Sequence, residues 1–165
     1  MNTRRQRIMG AVIASAAIPG LLVGCAPGPK APSNDEIRAS IAAAVEAVPT
    51  VTGSLVNVAI AGVGARSLRV KLYVDDVSPT SLAATIDAAL KATWQASSFT
   101  PGHISISAVD GPKPQDATMA SLDGVDLAPV QQALAIEGRL NLGVLTVGVL
   151  ALSARYGARP DPAVD

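Results

Sequence analysis

A chain of 165 residues with a single cysteine, Cys25, has no internal disulfide to fold around. Its folded part must hold together by burying apolar surface, and a chain of this size supplies one core. The position of that cysteine narrows the reading further. The residues before it run basic, then apolar, then small: Arg4, Arg5 and Arg7, then Ile8 to Val23 broken by Pro19-Gly20, then Gly24. This is the layout of a secretory signal, and it falls short of the ~20 apolar residues that a spanning helix needs.

Leu22-Val23-Gly24-Cys25 resembles the lipobox of bacterial lipoproteins, in which small apolar residues precede a cysteine at the end of the apolar stretch. The resemblance covers residues 1–25. It implies cleavage between Gly24 and Cys25, a diacylglyceryl group on the Cys25 thiol, and often a further acyl group on the new amino terminus. Two chains anchor stably because each buried CH₂ contributes about 0.8 kcal/mol, whereas one chain holds only marginally. The resemblance thus places the protein on the extracytoplasmic face of the cell membrane, with Cys25 as lipid attachment site and the membrane as a partner. The competing readings are an ordinary signal with a chance cysteine and an uncleaved anchor. Thr3-Arg4-Arg5 hints at twin-arginine export, but Arg7 stands where that signal prefers an apolar residue, which favours the general secretory route. Ala26 is not the aspartate that retains some lipoproteins at an inner membrane.

Without residues 1–24 the chain keeps ten of its 13 Lys+Arg and all 13 Asp+Glu, a formal charge of −3. That balance argues against nucleic acid as a partner, since nucleic acid demands a basic face. It also argues against electrostatic docking to anionic lipid, leaving attachment to the acyl chains. Tyr73, Trp94, Phe99 and Tyr156 are the only aromatics. Sugar sites usually stack rings on the ligand, so glycan recognition is disfavoured.

Residues 25–33 read as a Pro-rich tether that lifts the domain roughly 20–30 Å from the membrane. A single α+β domain is expected over 34–157, with a frayed, disordered tail at 158–165. Ser33 and Glu36 form a capping box, Ile37, Ile41, Val45 and Val48 share one helical face, and Pro49 ends the helix. Gly53–Ala61 and Ser67–Val74 read as a hairpin around Gly62-Val63-Gly64-Ala65-Arg66. In its second strand Leu68, Val70, Leu72 and Val74 face the core while Arg69, Lys71 and Tyr73 face out. Ser78 and Pro79 open a helix that carries Leu82, Ile86, Leu90 and Thr93 or Trp94 inward and ends near Ser97. His103–Asp110 is a third strand with Ile104, Ile106 and Ala108 on one side. A helix between strands implies a right-handed crossover and parallel pairing. The expected fold is therefore α+β in α-β-β-α-β order: a three-stranded antiparallel/mixed sheet, ordered 2-1-3, with both helices on one face. A C-terminal apolar extension follows. In it Asp126–Ala135 reads as helix, and the run Leu140–Leu152 fits either a strand or a helix. Gly157 suits a helix C-cap.

The candidates for chemistry each have a plainer reading. His103 is the sole histidine, so any Ser-His-Asp site must use it, but no G-x-S-x-G elbow accompanies it. Asp75-Asp76 cannot fill the six or more oxygens that calcium prefers, and it suits a turn before a helix. Zinc lacks its usual cysteines and histidines. Gly62-Val63-Gly64 lacks the third glycine of a dinucleotide fingerprint. Trp94 suits core packing. No catalytic residue, metal or cofactor is assigned.

The element order weakly resembles BON domains of exported envelope proteins, which are linked to membrane or ligand association, although their central hairpin glycine pattern is absent here. Lipobox, proline tether, small domain and the closing Arg155-Tyr156-Gly157-Ala158-Arg159-Pro160 resemble small lipoproteins of high-GC Gram-positive bacteria. The expected function is a membrane-anchored, non-enzymatic interaction or binding module of the cell envelope, with an envelope protein or lipid as partner. Two alternatives stand beside it: a carrier of lipid or a small apolar ligand, and a hydrolase using His103.

Overall fold

Ser33 opens the first helix, α1 (Asn34–Glu46), through the reciprocal bonds that the capping box requires. The Ser33 amide donates to Glu36 Oε2 at 2.6 Å, and the Glu36 amide donates to Ser33 Oγ at 3.3 Å. Those bonds hold the Glu36 carboxyl below its ordinary value, the Ser33 backbone amide first among them. The structure, a computed structural model, describes residues 31–61, 65–120 and 124–159. Gly24, Cys25, the leader, most of the tether, the Gly62-Val63-Gly64 loop and the tail from Pro160 lie outside the described residues. No helix among those described is long and apolar enough to cross a membrane.

The chain from Ala31 onward is α+β and contains five strands and four helices among the described residues. After α1 come β1 (Val51–Ala61) and β2 (Ala65–Val74), paired antiparallel, then α2 (Pro79–Ala96) and β3 (His103–Asp110), which lies parallel to β2. The parallel relation of β2 and β3 is thus as expected, but the sheet order is not. Its order is β1-β2-β3-β5-β4, so β2 is interior and β1 is an edge. The expected 2-1-3 order and the three-strand count are both corrected. A 2-1-3 sheet would leave β2 at an edge with one face wet. Instead β2 is buried nearly end to end from Val70 to Val74. Lys71 and Tyr73, expected to face solvent, are each 3 % exposed.

The cover over them comes from the turn-rich stretch after β3. Thr52 Oγ1 donates to the Gly111 carbonyl, Lys113 Nζ to the Ser54 carbonyl at 2.7 Å, and Lys71 Nζ to the Thr118 carbonyl at 2.9 Å. Residues 111–120 therefore lie across one end of the helix-free face. Gly53 permits the close pass: a Cβ there would stand 2.7 Å from Lys113 Cβ.

The apolar run 140–152 is neither one strand nor one helix. β4 (Arg139–Asn141) turns through Leu142 and Gly143 into β5 (Val144–Gly148), and α4 (Val149–Tyr156) follows at once. Leu142 and Gly143 both have positive φ, 48° and 73°, as a two-residue type I′ hairpin requires. Before them α3 (Ala128–Leu134) is shorter than expected: it begins only at Ala128, after Leu127 as N-cap, and the left-handed Ala135 ends it.

One face of the sheet carries the core. Leu68, Val70 and Leu72 of β2 stand beside Ile104, Ile106 and Ala108 of β3, and Ile104 and Ile106 beside Val147 and Leu145 of β5. All are buried in one cluster with Ile37, Ile41 and Val45 of α1 and Leu82, Ile86 and Leu90 of α2. Thr93 and Trp94 are both buried. The helices share this face, as the sequence implied.

Candidate functional site

Two surfaces remain once the core is assigned. The first is the outer edge of β1. In β2 the carbonyls of Arg66 and Val74 accept from Gly102 and Gly111, so its even-numbered residues bond toward β3 and its odd-numbered ones toward β1. Across an antiparallel pair, opposed residues alternate between bonded and non-bonded. Ser54, opposite Leu72, accordingly points its backbone outward. There its amide donates to Glu46 Oε1 at 2.8 Å and its carbonyl accepts from Lys113. Two charged side chains thus close the start of the edge. Val56, Val58 and Ile60 point their amides and carbonyls the same way, and no described residue bonds them from outside the sheet. No residue of β1 is charged, and Ile60 is 79 % exposed. Edge strands are ordinarily blunted by charge, proline or cover. From Val56 onward none of them is found among the described residues.

The second surface is the groove on the helix-free face. It encloses about 700 Å³, and its lining includes Arg69, His103, Ser105, Ser107, Arg139 and Thr146. Met119 and Ala120 of the covering segment and Leu142 and Val144 of the hairpin form a more apolar wall. Ser105 Oγ and Thr146 Oγ1 are 3.0 Å apart at the floor. His103 therefore shares a groove with serines, yet among the described residues it bonds no carboxylate or hydroxyl, and no Asp or Glu lines the groove. The described residues do not assemble a nucleophile, base and orienting acid there.

The other sequence candidates take structural places. The Asp76 carboxyl accepts from the Ser78 amide at 2.9 Å, and that backbone bond, with the Ser78 and Ser81 hydroxyls, lowers its pKa. Ser78 itself makes no side-chain cap bond. Trp94 is buried and donates its indole N–H to the Gly157 carbonyl at 3.1 Å. Among the described residues no group of three His, Cys, Asp or Glu could hold a metal ion.

A charged cluster that sequence reasoning missed joins α2 to α4. Arg155 Nε donates to Asp87 Oδ1 at 2.6 Å, the Tyr156 hydroxyl donates to the same oxygen at 2.8 Å, and Arg155 Nη1 donates to the Leu134 carbonyl. Burial alone would raise the Asp87 pKa, but those two donors and the charges of Arg155 and Lys91 leave it below the usual carboxylate value. Burial, then Asp87, pushes Tyr156 well above its ordinary value. The cleft of about 400 Å³ beside them is lined by Asp87, Lys91, Arg155 and Tyr156, and the Arg155–Asp87–Tyr156 bonds tie three of these four together. The closing Arg-Tyr-Gly was visible in the sequence, but nothing marked Asp87 as its partner.

No protein-family model, no curated protein and no solved structure matches the chain.

Proposed function

We propose that the protein is a membrane-anchored, non-enzymatic interaction module of the cell envelope, which captures an extended segment of an envelope protein along the open edge of β1. The observation that carries this reading is the run of outward-facing backbone from Val56 to Ile60, which no described residue bonds from outside the sheet. Strand addition uses such an edge: main-chain bonds supply affinity and alternate side chains supply selectivity. A strand without charge, next to exposed Ile60, suits an uncharged β-prone segment. The lipobox-like sequence Leu22–Cys25 supports the anchor.

Acylation makes the test specific. With lipid on the one native thiol, Ile60→Cys would supply the only reactive thiol in the mature chain. Treating cells with a short thiol-to-amine cross-linker should give a discrete adduct from Ile60→Cys. It should give none from Leu150→Cys on α4, a position 81 % exposed in the native chain. Adding Val56→Pro, which removes one outward N–H from the edge strand, should abolish the adduct. The same adduct from both positions, or none from either, would contradict the edge reading. The anchor is tested separately: a fatty-acid probe that still labels Cys25→Ala would refute lipid attachment at that residue.

A second reading, a small-ligand carrier, is favoured by the groove, since the hairpin of the 140–152 run supplies one of its walls.

A further inference from the structure

Five side chains stand in one row across the helix-free face, one from each strand. Asn57, Arg69, Ser105, Thr146 and Arg139 are successive register partners from β1 to β4. Neighbouring strands lie about 4.8 Å apart, so roughly 14 Å separates the backbones of Arg69 and Arg139. The Ser105–Thr146 hydroxyl pair lies between them. Whichever hydroxyl donates across the 3.0 Å contact, the other keeps a proton to donate elsewhere. Ser105 is 8 % exposed, which puts the pair on the groove floor rather than at its rim. Both arginines are exposed, and among the described residues neither has a carboxylate partner.

Two guanidinium groups and a hydroxyl donor thus face one cavity with no counter-charge among the described residues of its lining. Low-dielectric walls concentrate such a field and attract ions of opposite sign. The chain beyond residue 24 carries a formal charge of −3, so this is a local feature and not part of a generally basic surface. We propose that the groove binds a small organic anion. Its carboxylate or phosphate-ester head sits over the hydroxyl pair between Arg69 and Arg139, and a short apolar body rests against Met119 and Val144. Arginine's planar fork matches both kinds of head group. A cavity of about 700 Å³ has the size of a small-molecule site rather than a track for a polymer. The site is independent of the β1 edge, so either can fail alone.

The experiment is calorimetric titration of the mature lipidated protein, in non-ionic detergent at low salt, with butyl phosphate. Saturable binding is expected. Arg69→Gln and Arg139→Gln should each weaken it about tenfold or more, because each removes a charge-assisted bond. Arg38→Gln, an exposed arginine of α1 paired with Asp35, should leave it unchanged. 1-Butanol, the same body without the charge, should not compete. Absence of saturable binding at millimolar butyl phosphate, equal competition by butanol, or equal weakening by Arg38→Gln would each overturn the proposal.

Discussion

The two faces of this sheet share every strand and almost nothing else. On the helix-covered face, neighbouring strands present Leu68, Ile104 and Val147, then Val70, Ile106 and Leu145, all buried. One residue along, the same strands present Arg69, Ser105 and Thr146 to a groove. A period of two makes this possible, because adjacent residues in a strand serve opposite faces and a single slip would exchange them. The contrast teaches where stability and binding can be altered separately. The covered face is packed and intolerant. The uncovered face is intolerant only where residues 111–120 lie on it.

The largest effect should come from the covered face. Ile104→Ala removes buried methyl groups at the centre of the sheet and should cost about 2–4 kcal/mol in chemical denaturation. Its neighbour Ser105→Ala loses one hydroxyl contact and should cost about 1 kcal/mol. Equal costs would mean that the faces are not divided as described. Within the uncovered face, Lys71 and Arg69 sharpen the comparison. Lys71→Ala strips a buried ammonium from the Thr118 carbonyl and should cost roughly 1–3 kcal/mol. Arg69→Ala should stay within about 0.5 kcal/mol. Matching midpoints for these two would show that residues 111–120 do not seal this end of the sheet.

A smaller effect belongs to the clasp between α2 and α4. Asp87→Asn weakens the bonds from Arg155 and Tyr156 and should cost about 1 kcal/mol near neutral pH, the group being partly exposed. The sign with pH follows from the lowered folded-state pKa of Asp87. Its stabilisation is complete above the unfolded value of about 4 and fades as pH falls through the lower folded value. The gap in Tm between the native chain and Asp87→Asn should therefore close in acid, and a gap that widens below about pH 4 would exclude the ion pair as its source. The smallest stability effect is expected at the edge, where Ile60→Lys should shift the midpoint by less than about 0.5 kcal/mol.

Much of the fold was legible locally. The capping box at Ser33 and Glu36, the strand His103–Asp110 and the alternation through Leu68, Val70 and Leu72 are short-range signals, and each appears in the structure. What failed was long-range. Nothing near β2 says whether its second neighbour will be β3 or solvent, so Lys71 and Tyr73 read as exposed until residues 111–120 are placed over them. The hairpin inside Leu140–Leu152 was hidden because its first turn residue is Leu142, an apolar side chain at positive φ, where the expected asparagine or aspartate is missing. The groove was half legible. Arg69 was read on the outward face, but Arg139 and Thr146 join its row only through the pairing of β4 and β5 with β3.

Residue-resolved amide hydrogen exchange along β1 tests the edge most directly. In the purified protein, the amides of Leu55, Asn57 and Ala59, which bond toward β2, should exchange slowly. Those of Val56, Val58 and Ile60 should exchange fast, giving an alternation of period two. In membranes prepared from the cells that make the protein, the fast set should slow toward the rate of its neighbours as a partner strand occupies the edge. Uniformly slow exchange in the purified protein, or a fast set that stays fast in those membranes, would contradict an open edge that serves to bind.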